Sequence, residues 1–277
     1  MKRKQTNSIV AILICLTILF TVSCDMFTNS LLKGAARDMS EMMKNASTSE
    51  LLAAGADPDV IGDPAAAQAA MEALAEKDLS NISAEEASNV CSLASSAILP
   101  VSTLMEAIDK IKDSTKDDNS ENTDGSQTEE VNESVKVVSE ILSSIPDVDT
   151  TAIEQVLGND ELVKEADIGS VAMATVSLMA SSLSKADLSP EEQQEQLDII
   201  SKKISEIKPE DIKDGVTTNV IDKVLEGTAF DEDDTAMKTA VKAALTLKNR
   251  DDISSLTIGG FNLGELIGVK DNENSSN

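Results

Sequence analysis

The chain has 277 residues, a formal net charge of −27 and no histidine, tryptophan or tyrosine. Its hydrophobic content of 41% is too high for wholesale disorder, and its negative charge argues against nucleic-acid binding, because nucleic acids are polyanions. The lack of histidine excludes Ser–His and Cys–His catalysis and removes the commonest metal ligand.

The first 24 residues have the organisation of a secretory signal peptide. A basic start at residues 2–4 (KRK) is followed by the almost uncharged apolar run Ile9–Val22, and the small residue Ser23 then precedes Cys24. The apolar run is shorter than the about 20 residues that a transmembrane helix needs. We therefore expect residues 1–23 to be a signal peptide that is removed.

The sequence Thr21-Val22-Ser23-Cys24 gives this leader its most specific feature. It resembles the lipobox of bacterial lipoprotein signal peptides, although Thr21 stands where leucine is most common. The resemblance implies cleavage between Ser23 and Cys24 and attachment of acyl chains such as palmitate to Cys24. It also implies a lipid anchor in a membrane of the bacterial cell envelope, with inner and outer membrane both open. The alternative is a plain secreted protein in which Cys24 is incidental.

Removal of the leader makes the chain more acidic. It leaves 20 basic and 50 acidic residues, a formal charge of −30. An anionic lipid surface repels such a chain, so the acyl chains on Cys24 have to supply the membrane attachment. We expect residues 24–48 to form a lipid-anchored tether and a first amphipathic helix. The apolar stripe of that helix consists of Leu31, Leu32, Ala35, Met39 and Met42.

Helix start signals recur after this stretch and predict an all-α, multi-helix array. Ser47, Ser83 and Ser189 each precede a glutamate by three residues, which is the capping-box pattern that satisfies free N–H groups at a helix start. Asp63 and Ser189 each lie directly before a proline, which favours the first helical position. One predicted helix, Ala84–Ile98, begins at the second of these capping boxes.

Helix stops and apolar stripes complete the pattern. We expect Gly55, Gly158 and Gly227 to end short helices, as glycine does where the chain turns left-handed. Apolar residues at intervals of three and four mark two further helices: Leu197, Ile200, Ile204 and Ile207, then Val220, Ile221, Val224 and Leu225. The candidate strand Leu256–Ile258 is short.

Composition divides the remaining chain into two helical regions. Residues 49–111 form the N-terminal region, which ends with a predicted helix at 101–111, and residues 132–268 form the C-terminal region. The segment 112–131 between them is rich in Asp, Glu, Asn and Ser, and it has no large apolar residue before Val131. Such a segment cannot bury a core, so we expect an acidic disordered linker at 112–131 and a disordered tail at 269–277.

An internal repeat of about 65 residues is a further hypothesis. The tripeptide Ser-Glu-Ile at 139–141 returns at 205–207, and the stretch from Thr150 (TTAIEQVLG) returns from Thr217 (TTNVIDKVLEG). A fainter copy begins at Ser40. Each unit has a short helix, a glycine, an acidic loop and a longer helix, and such units bury their apolar faces by stacking. The alternative is chance similarity between Ala/Ser/Glu-rich amphipathic helices.

The cysteines offer little catalytic chemistry. Cys15 leaves with the leader and Cys24 is the expected lipidation site, so Cys91 is the one remaining thiol. It lies among apolar residues of the predicted helix Ala84–Ile98, and we expect it to be a buried residue without a disulfide partner. We predict no catalytic residue and no cofactor.

Two acidic stretches have the residue types that bind calcium. Asp117–Asp124 approaches an EF-hand loop, but Val131 then occupies the loop position where an acid is required. In the second stretch, 231–234, Asp233 or Asp234 is expected to cap a helix. We predict no dedicated metal site.

These features favour a non-catalytic, membrane-anchored helical lipoprotein that acts as an envelope scaffold or protein-binding module. Its expected partners are the membrane, through the lipid on Cys24, and an envelope protein; no nucleic-acid partner is expected. The alternative is a helical carrier of a lipid or small apolar ligand, because methionines form adaptable pockets, although they also fill a core poor in aromatic residues. The methionines in question are Met39, Met42, Met43, Met71, Met105, Met173, Met179 and Met237.

Overall fold

A computed structural model describes residues 39–99, 139–230, 234–253, 257–258 and 261–262. The signal peptide with Ser23 and Cys24, the predicted helix at 101–111, the predicted linker and the predicted tail all lie outside these residues. Within them the chain is all-α, as predicted, with one very short hairpin near the C-terminal end of the described part.

The first described range contains five helices. They are α1 (Met39–Lys44), α2 (Thr48–Ala54), α3 (Pro58–Ile61), α4 (Pro64–Ala75) and α5 (Ala84–Ile98). The last of them has the bounds that the sequence predicted.

Residues 139–144 are helical as well, and seven further helices follow in the described ranges. These helices are α6 (Thr151–Leu157), α7 (Asp160–Glu165), α8 (Ile168–Lys185), α9 (Pro190–Glu206), α10 (Pro209–Ile212), α11 (Thr218–Leu225) and α12 (Thr235–Lys248). Strand β1 (Thr257–Ile258) pairs antiparallel with β2 (Phe261–Asn262), and it falls within the predicted strand candidate.

Local hydrogen bonds explain where the helices begin. The three predicted capping boxes form at Ser47, Ser83 and Ser189, each with the serine side chain accepting from the N–H three residues on and the glutamate accepting from the serine N–H. Asp63 caps α4, and a proline occupies the first position of both α4 and α9. The predicted helix starts are therefore confirmed at these positions.

The predicted glycine stops are correct in place but wrong in conformation at two of three sites. Gly55 and Gly158 end α2 and α6 with φ of −69° and −71°, which is right-handed backbone. A Cβ on Gly55 would lie 2.0 Å from the carbonyl oxygen of Asn89, so this glycine lets the end of α2 touch the backbone of α5. Of the three, Gly227 has the left-handed conformation, with φ of 73°.

The predicted apolar stripe of the first helix is also partly wrong. Met42 is 46% exposed, whereas its neighbour Met43 is buried and Met39 packs beside the core. Met39 and Met43 are four residues apart and therefore lie on the same face of the six-residue α1, the face that packs on α4. Met42 points away from α4. Leu31, Leu32 and Ala35 of the same predicted stripe lie outside the described residues.

The larger hydrophobic core lies around α5. This helix packs between α4 and α8, and α8 packs in turn on α12. Nine of the fifteen residues of α5 are buried, including every residue from Leu93 to Ile98. The core therefore joins helices from both sides of the predicted linker.

A smaller core lies beside α9, α10 and α11. Its buried residues include Ile200, Ile204, Ile221 and Val224, which are members of the two predicted apolar stripes. Helix α12 contributes to both cores: Ala240, Ala243 and Leu247 belong to the larger one, while Met237, Val241 and Leu245 belong to the smaller one. The two cores therefore share α12 as a common wall.

Helix lengths recur along the chain in a similar order. The helices α2, α3, α4 and α5 have 7, 4, 12 and 15 residues. The helices α6, α7, α8 and α9 have 7, 6, 18 and 17 residues. A sequence repeat requires such an order, and the repeat itself stays a prediction.

Candidate functional site

Cys91 is the one predicted chemistry-bearing thiol within the described residues, and it is buried. It is fully enclosed in the larger core and has no disulfide partner there. Burial raises the pKa of the Cys91 thiol far above its usual value, and the negative charge of Asp167 adds to this shift. A thiol held neutral and away from solvent is a packing residue and not a nucleophile.

Carboxylates at helix starts serve as caps. The hydroxyl and N–H of Ser47 hydrogen-bond to Glu50, and both bonds hold the pKa of that carboxyl below its usual value. The pKa of Glu86 is lowered in the same way by Ser83. These acids are stabilised as anions by the backbone that they cap.

Of the two acidic stretches with the residue types that bind calcium, the structure describes Asp234 of the second. Asp234 caps α12 by accepting a hydrogen bond of 2.8 Å from the N–H of Met237, as one of the two predicted alternatives for this helix. Asp117–Asp124 lies outside the described residues. In the described part of the chain, no group of three or more His, Cys, Asp or Glu side chains is placed to hold a metal ion.

Basic side chains cap the opposite ends of helices, and Lys248 is the most buried of them. Its side-chain Nζ donates hydrogen bonds of 2.9 Å to the carbonyl oxygens of Ile204 and Ser205, in the last turn of α9. Lys248 is only 4% exposed, and burial lowers its pKa. The negative end of the α9 dipole therefore meets a positive charge in the interior.

Arg250 caps α7 from a distant part of the sequence. Its guanidinium donates hydrogen bonds of 2.8 Å to the carbonyl oxygens of Val163 and Ala166. The same guanidinium makes a two-pronged contact with the carboxylate of Asp252, at 2.8 and 2.6 Å. The hydrogen bonds from the guanidinium to Asp252 lower the pKa of that carboxyl.

Two further lysines, Lys242 and Lys203, also donate hydrogen bonds to carbonyl oxygens at the ends of helices. Lys242 donates a 2.6 Å hydrogen bond to the carbonyl oxygen of Gly158, at the end of α6, and lies 2.9 Å from the carboxylate of Asp160. Lys203 donates to the carbonyl oxygens of Lys223 and Glu226 at the end of α11. Cations that the chain has in short supply are thus directed towards backbone carbonyls.

The surface that remains is acidic. Residues 39–99 contain ten acidic residues and only two basic ones, Lys44 and Lys77. Most of these carboxylates are exposed, including Glu41, Glu72 and Glu76. Surface carboxylates of this density repel other polyanions.

Asp198 on α9 is an exception among the carboxylates. It is half-buried, and burial together with the negative charge of Glu195 raises its pKa to about 6. No hydrogen bond or ion pair reaches Asp198 within the described residues. The negative charge of Asp198 at neutral pH therefore destabilises the packing of α9.

The methionines named for the carrier alternative take different positions. Met71 and Met237 are fully buried among aliphatic side chains, Met43 and Met173 are nearly so, and Met42 is exposed. Met105 lies outside the described residues. The buried methionines fill core space, as aromatic residues do in other proteins.

Sequence reasoning missed the capping role of the basic residues. Lys248 and its acceptor on Ile204 are 44 residues apart, and Arg250 and its acceptor on Val163 are 87 apart. The local signal, a basic residue in the last turn of a helix, points to that residue's own helix and not to the remote one. The acceptors could be found only once the helices were packed.

Comparison with protein-family models, curated proteins and solved structures gives no match. Among the helices of the described part, none combines the length and the apolar character needed to cross a membrane.

Proposed function

We propose that this chain is a bacterial lipoprotein anchored to a membrane of the cell envelope through acyl chains on Cys24. The protein is a non-catalytic helical scaffold or protein-binding module. The observation that carries this proposal is the leader, in which a basic start and an apolar run precede Thr21-Val22-Ser23-Cys24.

The roles of the reactive groups support the non-catalytic part of the proposal. Cys91 is enclosed in the core, and several carboxylates and cations that catalysis could use instead cap helices. The chain has no histidine to act as a general base near neutral pH. What this protein presents to its surroundings is an acidic helical surface, which favours recognition over chemistry.

The anchor and the surface together support display of the helical body above a membrane. Two or three acyl chains hold a protein stably, since each buried methylene contributes about 0.8 kcal/mol. The carboxylates of residues 39–99 repel the anionic headgroups beneath, so the body stays accessible to protein partners. A basic protein surface in the envelope is the partner class that fits this charge.

Metabolic labelling with a fatty acid tests the anchor. Cells that express the full chain are expected to incorporate label into the protein, and Cys24→Ala is expected to abolish it, because the acyl chains attach to that residue. In membrane fractionation, Cys24→Ala is expected to distribute between the fractions differently from the unaltered chain.

Two other cysteines provide matched controls. Cys15→Ala changes a thiol of the leader, and Cys91→Ala changes a thiol of the core. Both variants are expected to keep the label. Equal labelling of Cys24→Ala and the unaltered chain would show that the anchor lies elsewhere.

A further inference from the structure

Residues 186–230 leave the larger fold and return to it at one place. Helix α8 ends at Lys185 and α12 begins at Thr235. The hydroxyl of Ser182 donates a 2.6 Å hydrogen bond to the carboxylate of Asp234, which joins the last turn of α8 to the cap of α12. Residues 186–230 contain α9, α10 and α11, and we call these residues the flap.

We propose that the flap opens from α8 and α12 as one unit, and that Lys248 holds it closed. This inference concerns the motion of the fold and does not depend on the lipid anchor. It rests on the polar contacts inside the flap, the few side chains that hydrogen-bond the flap to α8 and α12, and the sparse burial of α9.

Polar contacts within the flap join α9 to α11. Lys203 of α9 donates to two carbonyl oxygens at the end of α11, those of Lys223 and Glu226. The N–H of Ala229 donates a 2.7 Å hydrogen bond to the side-chain oxygen of Gln196 on α9. Because these bonds lie inside the flap, they survive its opening and keep the two helices together.

Side chains of three residues, Lys248, Asn249 and Gln193, make hydrogen bonds between the flap and the rest of the described fold. Lys248 of α12 donates to Ile204 and Ser205, Asn249 donates at 3.3 Å to the carbonyl oxygen of Ile212, and Gln193 donates at 3.3 Å to that of Leu183. Lys248 makes the shortest of these bonds.

Apolar burial holds the flap less firmly than it holds the larger core. Only three of the seventeen residues of α9 are buried, namely Gln193, Ile200 and Ile204, whereas α5 buries nine of fifteen. Removal of apolar surface from water is the main source of local stability, at about 25 cal/mol per Å². We therefore expect the flap to open at a lower free energy than the larger core around α5.

The backbone at the start of the flap permits movement. Ala186 is extended, with φ of −74° and ψ of 138°, directly after α8. Opening of the flap exposes the face of α12 that contains Met237, Val241 and Leu245. The flap thus regulates how much apolar surface the protein presents.

Hydrogen exchange of the full-length chain in detergent, read by mass spectrometry, tests the proposal. Peptides from α9 and α11 are expected to exchange at a common rate, at least about tenfold faster than peptides from α5 and α8. Equal protection of flap and core would overturn the proposal, because only global unfolding would then expose the flap. Separate rates for α9 and α11 would overturn it as well, since the flap would not move as a unit.

Lys248→Met tests the residue that holds the flap closed, and Lys213→Met is its control. Lys213 is exposed within the flap, so both substitutions remove one charge and only the first removes the two carbonyl contacts. Lys248→Met is expected to speed exchange of α9 and α11 by about tenfold and to leave α5 and α8 unchanged. Unchanged exchange in the flap, or equal acceleration everywhere, would contradict the role of Lys248.

Asn249→Ala gives a milder version of the same experiment should Lys248→Met fail to fold. It removes the single 3.3 Å hydrogen bond to Ile212. The expected result is an acceleration of about threefold that is confined to the flap. Acceleration in α5 and α8 of the same size would count against the proposal.

Discussion

Lys248 and Arg250 each donate hydrogen bonds to two backbone carbonyls in the last turn of a remote helix. A helix leaves its last four carbonyls without partners, and a buried helix end needs donors to satisfy them. Hydrogen bonds to charged donors contribute about 1.5 to 3 kcal/mol each. Cations that are scarce in this sequence therefore have a large structural effect where they occur.

Asp198 shows the reverse case, a charge that the fold disfavours. Burial and the charge of Glu195 raise its pKa to about 6, whereas an unperturbed aspartate titrates near 3.8. The folded protein binds this proton more tightly than the unfolded chain does. The free energy of unfolding therefore falls as the pH rises from about 4 to about 6, and the full penalty persists above that range.

Replacement of Asp198 by asparagine is expected to stabilise the protein at neutral pH. The gain is about 1 kcal/mol at pH 7.5, after allowance for solvent screening of a half-buried group, and it shrinks towards zero near pH 4. Urea denaturation at the two pH values measures the difference.

Asp187→Asn is the control for this prediction. Asp187 is an exposed aspartate shortly before α9, so the same chemical change should have little effect there. A gain from Asp198→Asn that is equal at both pH values would contradict the ionisation argument.

Helices α2 and α5 approach each other closely at Gly55. The end of α2 touches the backbone of α5 at Asn89, and only a residue without a side chain fits at Gly55. Both helices also begin with capping boxes, which fix their starts independently of each other. Local capping thus sets where each helix begins, and Gly55 sets how closely the two pack.

Gly55→Ala is expected to lower the free energy of unfolding by about 2 to 3 kcal/mol, because the backbones of α2 and α5 have to separate. Urea denaturation followed by circular dichroism measures this loss. Gly169→Ala is the control, since its Cβ would meet only a side-chain oxygen of Asp167, at 3.3 Å. That variant should stay within about 0.5 kcal/mol of the unaltered chain. Equal effects of the two substitutions would show that the contact with Asn89 is not limiting.

The comparison of α5 with α1 shows what the sequence could predict about elements. The bounds of α5 were predictable because its capping serine and glutamate are three residues apart. The buried face of α1 was not, because Met42 and Met43 have the same chemistry and only packing on α4 separates them. The close approach at Gly55 was equally hidden, since its partner Asn89 lies in another helix.

In the candidate site, too, the roles of some residues could be predicted from the sequence and those of others could not. The residues directly before Cys24 are enough to predict its lipidation, because processing enzymes recognise such a signal as a short local sequence. The lipidation itself stays a prediction. The burial of Cys91 was predictable from its apolar neighbours in sequence and is confirmed. The contacts of Lys248 and Arg250 were not predictable, because their acceptors are determined by the packing of remote helices.

Aliphatic and methionine side chains fill the two cores of the described fold, which meet at α12. Met71 lies in the larger core and Met237 in the smaller, and each is completely buried. Because these side chains pack against one another, we propose the scaffold function ahead of the carrier function.

Native mass spectrometry of residues 25–277, expressed without the leader, distinguishes these functions. The expected result is the mass of the chain alone, because the methionines pack against aliphatic neighbours. Extraction of the same sample with organic solvent, followed by lipid analysis, is the control for ligands lost during ionisation. A stoichiometric lipid in either measurement would favour the carrier.

The inward direction of Lys248 and Arg250 changes how the protein meets its ionic surroundings. The ammonium group of Lys248 is buried against carbonyls, so a passing solute contacts the exposed carboxylates and not this cation. The net negative charge of the body gathers cations from solution around these carboxylates. A basic partner would displace some of these cations on binding, and the entropy of the released ions would make such an association strongly dependent on salt concentration.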